Sequence, residues 1–258
     1  MDKPVFVQYL VWLGDCATLD FGVSLRSGIS IAQTIAEKLP ISLELILASL
    51  VIAVTLAIPL GMAAALKKGS LIDQIVSVFS TGFLAIPAFC IGLLMIVIFA
   101  VNFKLFPSGG YVSFLKDPLG NLRHLVLPAV TLGLYELAIF CRHTRSQALD
   151  VLGANFMRTA KAKGLPVSKV YFKHVLKNIM VTMVTIIGTE FATLFGSTVI
   201  TEQVFGWSGL GWYIYQSIVN RDYPAVQASV LVVAAIFVAV NLLVDILTAI
   251  IDPRVKLK

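Results

Sequence analysis

The chain has 258 residues, of which 58% are hydrophobic and only 13% are charged, and its mean hydropathy is +0.91. Soluble domains carry about a quarter charged residues, so this composition excludes an ordinary soluble domain and predicts a membrane protein. The formal net charge of +6 would suit nucleic acid or a membrane surface as partner, and its distribution along the chain decides between them.

Residues 1–40 precede the first long apolar stretch. They begin with the aromatic side chains Phe6, Tyr9 and Trp12, and they contain no cleavable signal pattern. We predict that this N-terminal segment lies outside the cell.

Five apolar stretches are long enough to cross a bilayer, because about 20 helical residues span roughly 30 Å of hydrocarbon. They are residues 41–66, 81–101, 122–141, 179–200 and 225–251. The third contains His124, Pro128 and Glu136, but membrane helices tolerate proline, and polar side chains within them tend to face other protein. The sequence therefore predicts an all-α polytopic fold with five transmembrane helices.

Two of these spans carry small residues at four-residue intervals, which let membrane helices approach closely, either within this subunit or against a partner. The two ladders are Ser49, Ala53, Ala57 and Gly61, and Gly188, Ala192 and Gly196. Prolines are expected to loosen three helices locally, at Pro59, Pro87 and Pro128.

Residues 142–177 form a basic insert between the third and fourth spans. The insert holds eight of the chain's twenty lysine and arginine residues and one acid, Asp150. Residues 146–150 can continue the preceding helix, which Gly153 would end. Asn155 is a suitable cap, and Gly164 a suitable stop, for a short helix between them. A loop that merely contacts anionic lipid is the alternative interpretation.

Five spans alternate sides, so the position of the insert fixes the whole topology. If the insert is cytoplasmic, that side carries thirteen basic and three acidic residues, whereas the opposite side carries seven of each. The positive-inside rule favours this orientation, which leaves the C-terminus cytoplasmic. The excess of positive charge is then a consequence of topology, and nucleic acid is not expected as a partner.

Glu190 lies near the middle of the fourth span, where a carboxylate is expected to face protein or a water-filled path. No lysine or arginine at the same depth is visible in the sequence, so lining of a pathway, or a hydrogen bond to a partner, is favoured over a proton relay. Residues 201–224 mix aromatic residues with glycines, a composition typical of an interfacial aromatic belt.

Three long stretches resemble one family. ANFMRTAKAKGLPVSKVYFKHVLKN is similar to the cytoplasmic loop of binding-protein-dependent ABC importer permeases, in which a Glu-Ala-Ala-like triplet is followed after three residues by glycine. Here the triplet position reads Thr159, Ala160 and Lys161, and the glycine is Gly164. ITEQVFGWSGLGWYIYQSIVNRDYPAVQA and NLLVDILTAIIDPRV are similar to the dipeptide, oligopeptide and nickel branch of that family.

The resemblance implies that residues 155–164 form a coupling helix that fits a groove on an ATPase subunit. The implied ATPase-coupling residues are Asn155, Arg158, Thr159, Ala160, Lys161 and Gly164. It also implies that residues 201–224 form a partly re-entrant loop. The resemblance adds Glu202, Arg221 and Asp222 to Glu190 as pathway or gating residues.

The resemblance further implies a complex in the inner membrane that contains a second permease subunit, two cytoplasmic ATPase subunits that use ATP and Mg, and an external substrate-binding protein. This chain would contact lipid and would be non-catalytic, with no cofactor or metal of its own. Peptides are the expected substrate, and nickel or a metal chelate is the alternative. An ion-coupled carrier that uses Glu190 and a membrane scaffold are more distant alternatives.

No metal or hydrolase signature in the sequence opposes this interpretation. Cys16, Cys90 and Cys141 lack metal-like spacing, and there is no phosphate-binding loop or nucleophile elbow. Related permeases begin with one more membrane helix, so the resemblance implies an element before Met1 that was either lost or excluded by a start site placed too far downstream.

Overall fold

The computed structural model describes residues 4–155, 157 and 175–251. These residues form eight α-helices and no β-strand, which confirms the predicted all-α fold. The helices are α1 (Val5–Ala17), α2 (Ile31–Leu66), α3 (Leu71–Ala85), α4 (Ala88–Met95), α5 (Pro118–Gly153), α6 (Lys177–Phe205), α7 (Leu210–Val219) and α8 (Tyr223–Ile251). A π-helical turn, Ile96–Asn102, continues α4.

Within the described residues, α2, α5, α6 and α8 are long and apolar enough to cross a membrane. The bent pair of α3 and α4 makes a fifth traverse if the two are counted together. Contacts between side chains show that α2, α5 and α8 run in one direction and α6 runs in the other. The insert leaves the bundle at one end, which we call the insert end, and residues 18–30, 103–117 and 206–222 lie at the opposite end.

The first and third spans are longer than the sequence predicts, because polar caps start their helices earlier. α2 begins ten residues before position 41, where the Ser30 hydroxyl accepts a hydrogen bond from the Gln33 amide. Asp117 caps α5 in the same way, and Pro118 occupies its first turn. As predicted, α5 continues through the first part of the insert and ends at Gly153.

The second predicted span, residues 81–101, is not one straight helix. α3 ends and α4 begins on either side of residues 86–87, and the two helix axes bend by 100°. Proline disfavours the helical conformation in the residue before it, and Ile86 is indeed extended, with φ −100° and ψ 127°. The break is far larger than the local loosening expected at Pro87, whereas Pro59 and Pro128 remain inside continuous helices.

The first small-residue ladder packs α2 directly against α5. Its four members are buried, and the Cys141 thiol donates to the Ala57 carbonyl over 3.7 Å. A Cβ atom on Gly61 would lie 2.7 Å from the Cβ of Thr144 and 2.8 Å from the Cys141 carbonyl oxygen. The ladder therefore serves packing within this subunit, since the two backbones approach too closely for any larger side chain.

In the second ladder, two of the three small residues are buried in packing within this subunit. Gly188 faces Val244 of α8 so closely that any side chain would clash with it, and Ala192 is also buried. Gly196 faces open space. Only 6% of the residues in the most apolar window of α8 are buried, and large side chains such as Val238, Leu242 and Leu243 are exposed, so part of its apolar surface is open to lipid or another subunit.

We predict that Gly61→Val destabilises the protein by about 1–3 kcal/mol, because the valine would overpack the contact between α2 and α5. The measurement is the apparent Tm of the protein purified in detergent. Gly82→Val is the matched control, because a Cβ atom at Gly82 in α3 meets nothing within 4 Å. An unchanged Tm for Gly61→Val would contradict this packing.

Candidate functional site

The two described ends of the basic insert converge on one apolar cluster at the insert end. Met157 and Val175 flank the part of the insert that lies outside the described residues, and both are fully buried. They pack with Met62 of α2, Ala148 of α5 and Ile179 of α6. Because this cluster joins three helices, a displacement of the insert would be transmitted to all three rather than absorbed by a loose linker.

Of the six predicted ATPase-coupling residues, the structure describes Asn155. Asn155 is exposed two residues beyond the end of α5, within the insert. Arg158, Thr159, Ala160, Lys161 and Gly164 lie outside the described residues. Their coupling role therefore stays a prediction.

An ion pair that the sequence analysis missed lies at the same end. Arg145 of α5 binds Asp73 of α3 with both prongs of its guanidinium, at 2.5 Å from Nε to Oδ1 and 2.9 Å from Nη2 to Oδ2. The Gly69 amide also donates to Asp73 over 2.9 Å. This bidentate pair fixes the start of the broken span to α5. The two residues lie 72 positions apart in sequence, and no local pattern links them.

A cavity of about 360 Å³ lies at the break between α3 and α4. Its wall combines residues 84–88 of the break with Leu132, Tyr135, Glu136, Leu194 and Ser197 of α5 and α6. Glu136 is only 1% exposed, and its Oε2 atom has no hydrogen-bond partner in the part of the chain that the structure describes. A buried carboxylate oxygen without a partner is costly, so this cavity is built for a polar occupant.

α6 carries a polar face beside this cavity. Thr185, Thr189, Thr193 and Ser197 recur at four-residue intervals, and all four are exposed. Glu190 lies on the same helix and accepts a hydrogen bond from the Thr193 hydroxyl at 2.9 Å. Exposed hydroxyls and a carboxylate in an apolar helix are expected to face protein or water rather than lipid. The spacing of these hydroxyls was the sequence signal that could have revealed this face.

Glu202 lies at the other end of α6, where it is fully buried and hydrogen-bonded. The Ser42 hydroxyl donates to its Oε1 atom, and the Trp212 amide donates to its Oε2 atom over 2.7 Å. The Ser42 hydroxyl also accepts from the Leu210 amide at 2.8 Å. A Cβ atom on Gly209 would lie 2.4 Å from the Ser42 hydroxyl, so only glycine fits there. Glu202 thus ties the turn between α6 and α7 to α2.

Asp222 makes a second tie at the same end. Its carboxylate accepts from the Ser24 hydroxyl at 2.5 Å and from the Leu25 amide at 3.3 Å, so the N-terminal loop is fixed to the turn before α8. The neighbouring Arg221 is exposed and adopts a left-handed backbone conformation, with φ 57°. Glu202 and Asp222 thus belong to separate networks at the two ends of α7, and neither lies beside Glu190.

A third carboxylate holds the loop between α4 and α5. Glu44 accepts from the Asn121 amide at 2.6 Å and from the Tyr111 hydroxyl at 3.4 Å. Burial, together with the nearby Glu44 carboxylate, raises the pKa of the Tyr111 phenol, so the phenol stays protonated and remains a donor. The edge of its ring contacts Trp207, with ring centroids 4.9 Å apart.

We predict that Glu202→Ala lowers the stability of the protein, because it leaves the Ser42 hydroxyl and the Trp212 amide without their acceptor. Each buried group left unpaired costs about 1–3 kcal/mol. The measurements are the apparent Tm, which should fall, and the rate of proteolysis within residues 206–222, which should rise.

The control is Glu37→Ala, because Glu37 is exposed on α2 and accepts only a side-chain bond from Gln33 at 3.1 Å. Its effect is expected to stay within about 0.5 kcal/mol. Equal stability of the Glu202→Ala protein and the wild type would show that the Glu202 network does not hold this turn.

Two kinds of comparison with known proteins agree. Residues 57–257 match the sequence profile of the family described as binding-protein-dependent transport system inner membrane component. The oligopeptide transport system permease protein AppB of Bacillus subtilis (strain 168) is 39% identical over 259 residues, which cover 99% of this chain and 82% of that protein. The dipeptide transport system permease protein DppB of Escherichia coli (strain K12) is 37% identical over 282 residues, which cover 100% of this chain and 83% of that protein.

Solved structures show the same fold at low sequence identity. A chain of the MetNI methionine ABC transporter, in an inward facing conformation, superposes with a TM-score of 0.70 at 16% identity and covers 85% of this chain and 97% of that chain. An amino acid ABC transporter gives a TM-score of 0.55, also at 16% identity. The chain belongs to the family of binding-protein-dependent transport system inner membrane components, and it is a multi-pass permease subunit of an ABC importer.

Proposed function

We propose that this subunit forms one half of a membrane pathway for dipeptides and oligopeptides and transmits the work of ATP hydrolysis to it. The observation that carries the proposal is the polar face of α6, which borders the cavity at the broken span and points away from the chain's own core. The printed functions of the two relatives favour peptides over nickel or a metal chelate.

A second permease subunit completes the pathway. The exposed hydroxyls of α6 and the exposed apolar side chains of α8 are surfaces on which such a partner, or lipid, would be accommodated. An external binding protein delivers the peptide to the end of the bundle that carries Arg221, and two ATPase subunits hold ATP and Mg on the other side. This chain is non-catalytic and binds no cofactor itself.

The insert is the connection to the ATPases. Its buried ends at Met157 and Val175 lock it to three spans, so motion of residues 155–164 would be passed to the bundle as a rigid displacement. The excess of basic residues in the insert and the C-terminal tail places both on the cytoplasmic side. Arg158, Thr159, Ala160 and Lys161 are the residues that this proposal assigns to contact with the ATPase subunit.

The substrate is tested in cells that carry the intact importer and in cells that lack only this subunit. Uptake of labelled dialanine is expected to fall to background when the subunit is removed, and nickel uptake is expected to stay unchanged. The opposite pattern would replace peptides by a metal or chelate. Plasmid-borne wild-type protein must restore uptake.

The energy source separates an ABC importer subunit from an ion-coupled carrier that uses Glu190. Depletion of ATP with the proton gradient intact should abolish uptake of dialanine. Uptake that survives this treatment, and collapses only when the gradient is removed, would support the carrier instead.

We predict that Gly164→Val uncouples transport from ATP hydrolysis, because a branched side chain would obstruct the chain reversal after the coupling helix. The purified complex should still hydrolyse ATP, but peptide uptake into proteoliposomes should be lost. Gly153→Val is the control, since a Cβ atom at Gly153 meets nothing within 4 Å. Normal uptake by the Gly164→Val complex would exclude a coupling role for this glycine.

A further inference from the structure

Glu136 is a buried acid whose Oε2 atom lacks a hydrogen-bond partner among the described residues. Its side chain lines the cavity at the break, and no salt bridge to it is formed by the part of the chain that the structure describes. Buried carboxylates elsewhere in this protein are paired or hydrogen-bonded, as at Asp73 and Glu202. An oxygen without a partner in a cavity wall can accept a hydrogen bond from a molecule that enters the cavity.

The surroundings of Glu136 favour a cation. Glu190 lies on α6 one helical turn before Leu194 and two turns before Ser197, both of which line the cavity. Residues 84 and 85, at the C-terminal end of α3, lie in the same wall, and the last carbonyls of a helix carry partial negative charge. The Ser197 hydroxyl adds a further acceptor. The Glu136 carboxyl group, the C-terminal end of α3 and Ser197 therefore line one space, and Glu190 lies on the neighbouring turns of α6.

The size of the cavity favours an organic cation over a metal ion. Ligand pockets for organic molecules measure roughly 300–1,000 Å³, and this cavity measures about 360 Å³. No group of three or more histidine, cysteine, aspartate or glutamate side chains among the described residues is arranged to hold a metal ion. A primary ammonium group on a small organic molecule, which has three donors and no acceptor, matches the acceptors present.

On the other side of the break, the start of α4 carries partial positive charge. α4 begins at Ala88 without a side-chain cap, so its first amides are open donors at the positive end of the helix. Discontinuous membrane helices commonly place such ends around a substrate near mid-span. A molecule with an ammonium group at one end and a carbonyl or carboxylate group at the other would therefore be oriented by this cavity.

We propose that Glu136, together with Glu190, binds the amino-terminal ammonium group of the peptide as it crosses this subunit. The proposal rests on the proposed peptide function and adds a binding site within the pathway. Glu136 makes the direct contact, and the partly exposed Glu190, on the neighbouring turns of α6, attracts the cation from the α6 face.

The test measures binding to the purified importer complex without its external binding protein. Ligand-observed NMR follows dialanine and N-acetyl-dialanine, which has no ammonium group. The wild-type complex should bind dialanine at least about tenfold more tightly, since a hydrogen bond to a charged group contributes about 1.5–3 kcal/mol. Glu136→Gln should remove that preference, and Glu190→Gln should reduce it.

Glu37→Gln, an exposed carboxylate distant in sequence from the cavity wall, is the matched control and should keep the wild-type preference. ATPase activity and gel-filtration behaviour show that each complex is assembled. Equal binding of the two ligands by the wild type, no binding of dialanine, or an unchanged preference in Glu136→Gln would each overturn the site. The proposed function is tested by a different experiment: if it is wrong, the wild-type complex with its binding protein will not take up dialanine.

Discussion

The close parallel packing of α2 against α5 is the contact on which the rest of the molecule depends. It requires small side chains along α2, and at Gly61 any Cβ atom would clash with Thr144. Both functional ends of the bundle are built on this pair. At one end it supports the cluster that holds the insert, and at the other it supplies Ser42 and Glu44 as partners for the connecting turns.

The break in the second traverse interrupts the helical backbone between α3 and α4. A membrane offers no water to unpaired amides and carbonyls, so irregular backbone is tolerated only where protein or a wet cavity adjoins it. Here it adjoins the cavity lined by Glu136 and the polar face of α6. The Asp73–Arg145 ion pair at the start of α3 holds one half of the break to α5, whereas α4 packs independently against α5 and α6.

Hydropathy and charge were enough to predict the all-α fold and its apolar spans, because hydrocarbon thickness and small-residue packing act over short stretches of sequence. They could not predict the 100° break. Pro59, Pro87 and Pro128 give the same local signal, and only Pro87 is accompanied by an extended preceding residue and a separate second helix. The Asp73–Arg145 pair could not be predicted either, because it forms only when α3 and α5 are neighbours in space.

Buried carboxylates in this protein serve two different purposes, and their partners tell them apart. The sequence predicts Glu202 as a pathway or gating residue, and in the structure its oxygens accept hydrogen bonds from a serine hydroxyl and a backbone amide, which hold a turn in place. In the sequence, Glu136 is one of the residues that make the third predicted span less apolar than the others. It is the carboxylate with an open oxygen beside a cavity, and a membrane protein retains so costly a group where a passing ligand completes it.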